Sequence, residues 1–390
     1  MPKELSSHFA QQLKEIKRDF HCHPELGLQE KWTTQHIQHE LQSLDMSLEN
    51  FDQDTGVVAV LHTGKPGPVV ALRADIDALP IDESPSHNPR SQYSGRMHAC
   101  GHDAHITCLL GAAMLLNNMR NELNGDVIFV FQPDEETSHG AKNLIEAGLL
   151  NRFSIKAMFG LHVRPEFPSG TIGVRPGAAM SAKDRFTITI QGRGGHGAMP
   201  HMSISPIPAG IAVIQALQTI VGCRIDPRST GVISVCAIHA GTADNVFPSD
   251  MVIMGNLRAD SVALRAQLRQ EITDIVHAIP TGSHCTGSVT FDNSIELLYN
   301  SPELLSIAAA SASSIVGSNN VIEQPFDLTS EDFSEFSMHV PSFFYFLGAS
   351  KSPPTAAPLH SPEFVVDDDI LPIGARLLAE SVLQAQASFV

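Results

Sequence analysis

The chain is poor in positive charge, in long apolar runs and in paired cysteines, and each shortage sets aside a class of protein. Lysine and arginine number 25 against 42 acidic residues, a formal charge of -17. Nucleic acid and anionic membranes both call for a basic face, so neither is expected as a partner. No apolar run reaches the length that spans a bilayer. The six cysteines, Cys22, Cys100, Cys108, Cys223, Cys236 and Cys285, lack the spacing of a disulfide framework. Residues 1–20 are polar and amphipathic, with Lys14, Lys17 and Arg18 among them, unlike a secretory leader. A reducing, cytoplasmic setting is expected. Internal repeats are missing too, and the one low-complexity stretch is the loop Ser350–Pro358.

Hydrophobic residues make up an ordinary 43% of 390 residues, enough for two or three domains that fold without staples. Helices are expected over Ser7–His21 and Thr33–Leu44. Short apolar runs follow at Val57–His62, Val69–Ala74, Val127–Phe131 and Ala157–Leu161, as in strands buried on both faces. Helical spacing lies between some of them, at Ala104–Met119 with Asp103 as N-cap, and at Gly140–Leu150. This predicts an α/β domain with a mostly parallel central sheet flanked by helices. From Lys183 the rhythm changes. Phe186–Ile190 alternates strictly, then come a helix (Pro206–Val221), two strands (Val232–His239, Met251–Ala259), a helix (Ser261–Ala278) and a strand (Ser288–Phe291). That is the βαββαβ order of a ferredoxin-like α+β sandwich. The first pattern then resumes with Ser301–Val316, Phe343–Leu347 and Leu371–Gln384. The expected division is a discontinuous catalytic domain, 1–182 with 293–390, and an inserted domain, 183–292.

Chemistry concentrates in Met97-His98-Ala99-Cys100-Gly101-His102-Asp103-Ala104-His105. Thiolate and imidazole are the usual ligands of transition metals, and Gly101 permits the bend that would turn Cys100 and His102 toward one ion. A lone Cys-x-His is more readily a buried cysteine beside a helix start, so the metal reading needs partners. The sequence offers them where strands are expected to end: Asp75 and Asp77 after Val69–Ala74, Asp134-Glu135-Glu136 after Val127–Phe131, His162 after Ala157–Leu161, and His360 beyond Phe343–Leu347. Ligands of open α/β sheets bind at the carboxyl ends of strands. Each acidic cluster has a bland explanation as a turn or a helix start, but their joint recurrence favours a site. Adjacent glutamates can divide two tasks, one holding an ion and the other moving a proton.

These residues resemble the amidohydrolase branch of the aminoacylase-type dinuclear metallopeptidases, which includes hippurate hydrolases, N-acyl-amino-acid amidohydrolases and indole-acetyl-amino-acid hydrolases. The resemblance runs through His21-Cys22-His23-Pro24-Glu25, Leu72–Pro80, Met97–His105, Phe131–Glu136, Gly160–Val163, Gly194–His201, Asn245–Pro248, Ser330–Phe333 and Leu359–Pro362. It implies two divalent ions, zinc by ligand softness with manganese, cobalt or nickel admitted, held by Cys100, His102, Glu136, His162 and His360. Cys100 is a candidate to bridge them. Glu135 would be the general acid/base, and Asp77 would steady a ligand imidazole. From the inserted domain, His196 would polarise the scissile carbonyl, in the family across a dimer interface. Asn245 and Arg258 would hold substrate, Arg258 its terminal carboxylate; the bland view of Arg258 is a solvated edge-strand residue. His23, His98, His105 and His201 are left as structural or supporting, and the cysteines other than Cys100 as buried apolar residues.

The expected activity is hydrolysis of an N-acyl amino acid by a metal-activated water, in a homodimer with a tetramer as alternative. Dipeptidase or carboxypeptidase-like specificity, a silent binding protein of the same fold, and a thiol hydrolase using Cys100 are the rival readings. Two departures bear on substrate range, and one further segment differs from the family. Asp134 stands where the family has a small residue, and its charge beside Glu135 is expected to raise a pKa by repulsion. Thr137-Ser138-His139 replace glycines, His139 being a stray ligand or a cleft-narrowing group. Glu83–Gly95 is shortened or altered.

Overall fold

The computed structural model describes residues 6–389. The chain divides into two compact units, Met1–Ala179 with Tyr299–Pro325 and Asp332–Val390, and Met180–Leu298 with Phe326–Glu331.

The first unit is built on an eight-stranded sheet. In spatial order its strands are Ser47–Glu49, Val57–Leu61, Val127–Gln132, Val69–Asp75, Ile155–Pro168, Ser342–Ser350, Ile172–Val174 and Val321–Glu323. The four in the middle run parallel, and their near-continuous Val, Ile and Phe content is explained by burial on both faces. Helices His102–Asn118 and Leu371–Ser388 belong to the same core, both largely buried. The sheet as a whole is mixed, because Val57–Leu61 lies antiparallel to its neighbours Ser47–Glu49 and Val127–Gln132. Only a short loop joins Val57–Leu61 to Val69–Asp75. A parallel crossover needs a dozen residues or more, so this strand reverses direction. The strand expected to stop at Leu161 continues to Pro168, pairing with Ser342–Ser350 along the way. His162 is therefore a strand residue.

The second unit has a four-stranded antiparallel sheet in the order Gly231–His239, Asp250–Ala259, Ala182–Gln191, Thr286–Ile295. Alternate residues of Ala182–Gln191 and Asp250–Ala259 are buried, and helices Pro206–Cys223 and Val262–Thr281 share their core. One expectation needs correcting. By length and composition, with a mean hydropathy of 1.5, Pro206–Cys223 is long and apolar enough to cross a membrane. In this fold it buries Ala209, Val213, Leu217 and Ile220 against the sheet, and its apolar surplus faces outward, with Ile211 49% exposed.

Candidate metal centre

The Cys100-Gly101-His102 bend depends on glycine for two reasons. Gly101 has φ +84°, and a Cβ there would lie 2.5 Å from Val163 Cγ2, so both conformation and space exclude a side chain. Gly101 takes the N-cap place of helix His102–Asn118. The expectation that Asp103 caps the helix is thus corrected. Asp103 sits in the first turn, where Oδ1 accepts from the Ala104 amide at 2.9 Å and Oδ2 meets His21 Nδ1 at 2.7 Å.

Backbone carbonyls fix the ring states of two imidazoles. His102 Nδ1 donates to the Asp77 carbonyl at 2.8 Å, and His162 Nδ1 to the Val163 carbonyl at 2.7 Å. With Nδ1 committed in this way, Nε2 is the nitrogen each ring has left to offer a metal ion. His162 Nε2 lies 3.4 Å from Cys100 Sγ. His360, at φ +64°, is tied by its amide to the Ala99 carbonyl, and its Nε2 is 3.3 Å from Cys100 Sγ and 3.4 Å from Glu136 Oε1. His102 Nε2 is 3.9 Å from the same Glu136 oxygen. Cys100, His102, Glu136, His162 and His360 thus fall into overlapping groups whose donor atoms lie within 4.8 Å of one another, and Glu135 joins the group of His102 and Glu136.

This donor set fits divalent ions. His102 Nε2, Glu136 Oε1 and Asp77 Oδ1 are buried without a hydrogen-bond partner, a cost of about 1–3 kcal/mol each that coordination or its supporting contacts would remove. The electrostatics point the same way. Burial pushes the Cys100 thiol up, with the Glu136 charge adding to it. Cys100 and Glu136 hold His360 up to about 10. Burial opposes a charge on His102, yet Asp75 and Asp77 outweigh it and keep the ring well above the usual histidine range. The cluster favours positive charge, which a cation supplies.

Asp77 stands behind His102 and meets it through its backbone as well as its carboxylate. Its carbonyl takes the His102 proton, its Oδ1 is 3.3 Å from the same nitrogen, and its Oδ2 accepts the Glu136 amide at 2.9 Å. The sequence reading missed a deeper layer. Asp75 Oδ1 takes His105 Nδ1 at 2.6 Å, with Oδ2 3.6 Å from His102 Nε2. Arg73, 1% exposed, spans Asp75 and Asp332 through Nη1 and Nη2 at 3.0 and 2.9 Å, and gives Nε to Gln132. The signal available was an arginine inside an otherwise apolar strand.

The Asp134 carboxyl is raised, with burial as the main cause, countered by the Thr137 hydroxyl, and with the Asp77 charge adding to it. The residue adopts φ +55°, its amide donates to Glu30 Oε1, and both its carboxylate oxygens accept from Thr137 Oγ1. His139 Nδ1 meets Thr137 Oγ1 at 2.9 Å and so turns toward that hydroxyl.

His21 is suspended between Asp103 Oδ2 and Glu83 Oε1, at 2.7 and 2.8 Å. Burial works against its charge, but these acids raise it to about 9. A folded pKa above the ordinary 6.5 means stability present in full below about 6.5 and lost as pH rises through about 9. Urea midpoints should therefore fall between pH 7 and 9.5 by up to about 3 kcal/mol of stability. His21→Gln should flatten that slope; an equal slope in the variant would refute the assignment.

In the second unit His196 and Val246 are paired across a two-stranded ribbon, and Gly197 N donates to the Asn245 carbonyl at 2.8 Å. His196 and Asn245 are thereby neighbours, both exposed. His196 Nδ1 accepts from Ala198 N at 3.1 Å, which puts its proton on Nε2. Arg258 lies on an interior strand, not an edge, with Nη1 bonded to the Leu328 carbonyl and to Ser330 Oγ at 2.6 and 3.1 Å.

Thiolate and imidazole donors converging on two adjacent glutamates suit one class of protein, the metal-dependent hydrolases, in which one acid holds an ion and its neighbour moves a proton. Within that class the chain belongs to peptidase family M20/M25/M40, whose profile matches residues 71–384. It is 36% identical over 373 residues to the N-acetylcysteine deacetylase of Bacillus subtilis, covering 95% of this chain and 96% of that one. It is 38% identical over 378 residues to IAA-amino acid hydrolase ILR1-like 5 of Arabidopsis thaliana, covering 93% and 84%. Thermostable carboxypeptidase 2 of Saccharolobus solfataricus is 36% identical, covering 96% and 95%. Among solved structures, the YXEP protein of Bacillus subtilis, described as a dinuclear metal-binding peptidase of the M20 family, superposes with a TM-score of 0.88 at 32% identity, covering 98% and 100%.

Proposed function

We propose that this chain hydrolyses the amide bond of N-acyl amino acids with the help of two divalent ions held by Cys100, His102, Glu136, His162 and His360. The carrying observation is the convergence of those five side chains, with His102 Nε2 and Glu136 Oε1 buried without a hydrogen-bond partner. The names of the Bacillus and Arabidopsis relatives support the substrate class. When bound, the ions supply Lewis acidity, bringing the pKa of water down to about 7. Glu135 then takes the proton of the attacking water and returns it to the departing nitrogen. Asp77 holds His102 in register. His196 offers its Nε2 proton to the carbonyl oxygen where negative charge develops, a donor of the kind worth a few kcal/mol. Asn245 and Arg258 take the substrate, Arg258 by its carboxylate; the bonds to Leu328 and Ser330 fix the direction of that guanidinium.

Zinc is proposed first among the metals because a thiolate and imidazoles are soft donors, with manganese, cobalt and nickel admitted by the carboxylates. A homodimer is proposed through the inserted unit, where Met199, Met202 and Ile211 leave apolar surface exposed; a tetramer is the alternative. The free thiols of all six cysteines suit a reducing compartment. A carboxypeptidase-like preference is the second reading, supported by the Saccharolobus relatives. A thiol hydrolase is disfavoured, since burial raises the Cys100 thiol and two imidazoles crowd its sulfur.

Prolonged EDTA treatment should abolish release of amino acid from acetyl, benzoyl and indole-acetyl substrates, and a divalent ion should restore it with about two equivalents bound per chain. Activity that survives complete metal removal would sink this reading. So would metal-loaded protein that is stabilised by these substrates yet releases nothing.

A further inference from the structure

A stripe of basic residues near the N-terminus takes no part in the chemistry above. Lys14, Lys17, Arg18 and His21 stand at i, i+3, i+4 and i+7 of helix Ser7–Cys22, so they share one face. On a chain of charge -17 this is a local exception. The stripe forms one wall of a cleft of about 470 Å³, whose other walls include His98, Asp103, Phe364 and Val366. Lys14 and Lys17 are already engaged with Asp369 and Asp368, at 2.7 and 2.6 Å, and His21 with Asp103 and Glu83. Arg18 is exposed and has no carboxylate partner among the described residues.

An independent observation is His98. It is 2% exposed and lines the same cleft, yet neither Nδ1 nor Nε2 has a hydrogen-bond partner. A neutral imidazole carries one N–H and one lone pair, and each left unmet in the interior is destabilising. No step of the proposed reaction uses this ring.

We propose that the cleft is a binding site for a small oxyanion, a carboxylate or a phosphate, separate from the metal centre. Arg18 offers a fork matched to two anion oxygens, and His98 donates its N–H from the buried wall. The remaining ring nitrogen accepts from the acid hydrogen of hydrogen phosphate, or from a water carried in with a carboxylate. Glu15, Asp103 and Asp368 also face the cleft, which confines it to small anions of low charge. His98 and Asp103 flank the Cys100–His102 bend in sequence. Phe364 and Val366 stand within 3.6 Å of the place a Cβ of Gly101 would take. An occupant would therefore touch the frame of that bend.

The test uses the metal-loaded full-length protein. Its thermal midpoint is followed against sodium phosphate and, separately, sodium acetate, with sodium chloride holding ionic strength constant. A saturable rise is expected with at least one anion, weakened about tenfold or more by Arg18→Glu and abolished by His98→Phe. Response to phosphate alone, or to acetate alone, identifies the source. Phosphate acting only at the metals would give the same titration in Arg18→Glu as in wild type, and that result overturns the proposal. So does the lack of a saturable rise with either anion. Should His98→Phe not fold, the exposed Arg18 decides the matter. None of these readings requires turnover, so the site stands or falls apart from the proposed reaction.

Discussion

Glu135→Gln is expected to lower kcat by about 100-fold to 10⁴-fold, the range that general acid–base catalysis contributes, while the protein keeps its fold and its metal. The glutamine is nearly isosteric, so packing around this 8% exposed residue is undisturbed. What changes is that an amide cannot take a proton from water and return it to nitrogen. Metal content should stay at the wild-type value, because Glu136, not Glu135, is the proposed ligand. Glu136→Gln gives the converse pattern, with metal lost first and activity restored in part by excess ion. Steady-state kinetics on N-acetyl amino acids, together with metal analysis of both variants, separate the two roles. A Glu135→Gln enzyme turning over near the wild-type rate would remove Glu135 from the mechanism, and equal metal loss in both variants would erase the distinction.

The two glutamates were legible in the sequence because they follow an apolar strand, and strand ends gather ligands in open α/β sheets. The bend at Gly101 was legible for a similar local reason, since a glycine between two donors suggests close approach. What could not be read was anything set by partners distant in the chain. Arg73 and Asp332 are 259 residues apart, and no local periodicity announces that they share a bond. Strand direction was half legible. The apolar runs predicted burial on both faces, but the reversal of Val57–Leu61 follows from the shortness of a loop. His162 was placed after a strand because its polarity breaks the apolar run, whereas the ladder with Ser342–Ser350 carries the strand past it. Asp134 shows the limit of charge counting. Its adjacency to Glu135 drew the eye to repulsion, but burial is the first cause of its raised pKa, and the Asp77 charge, distant in sequence, adds to it.

The buried layer behind the proposed metal ligands yields the largest expected change in stability. Arg73→Met should cost about 3–5 kcal/mol, as breaking a buried ion pair by removing one partner does. The methionine fills much of the aliphatic volume, so the loss is electrostatic. Asp75 and Asp332 lose their shared guanidinium, and Gln132 loses the Nε donor to its carbonyl oxygen. Urea unfolding measures the effect, and Asp332→Asn should cost less, because an amide oxygen can still accept from Arg73. A second consequence reaches the site. In the wild type, His102, His105 and Arg73 hold the Asp75 carboxyl well below its usual range against the opposing effect of burial. Without Arg73, Asp75 leans harder on His102 and favours its protonated ring. A proton on Nε2 competes with a metal ion for one lone pair, so metal affinity of Arg73→Met should fall, and fall further as pH is lowered from 8 to 6. Asp332→Asn, which leaves Arg73 on Asp75, should keep the wild-type pH dependence of metal binding. If Arg73→Met lost stability but bound metal with unchanged pH dependence, the layer would be a packing device with no hold on His102.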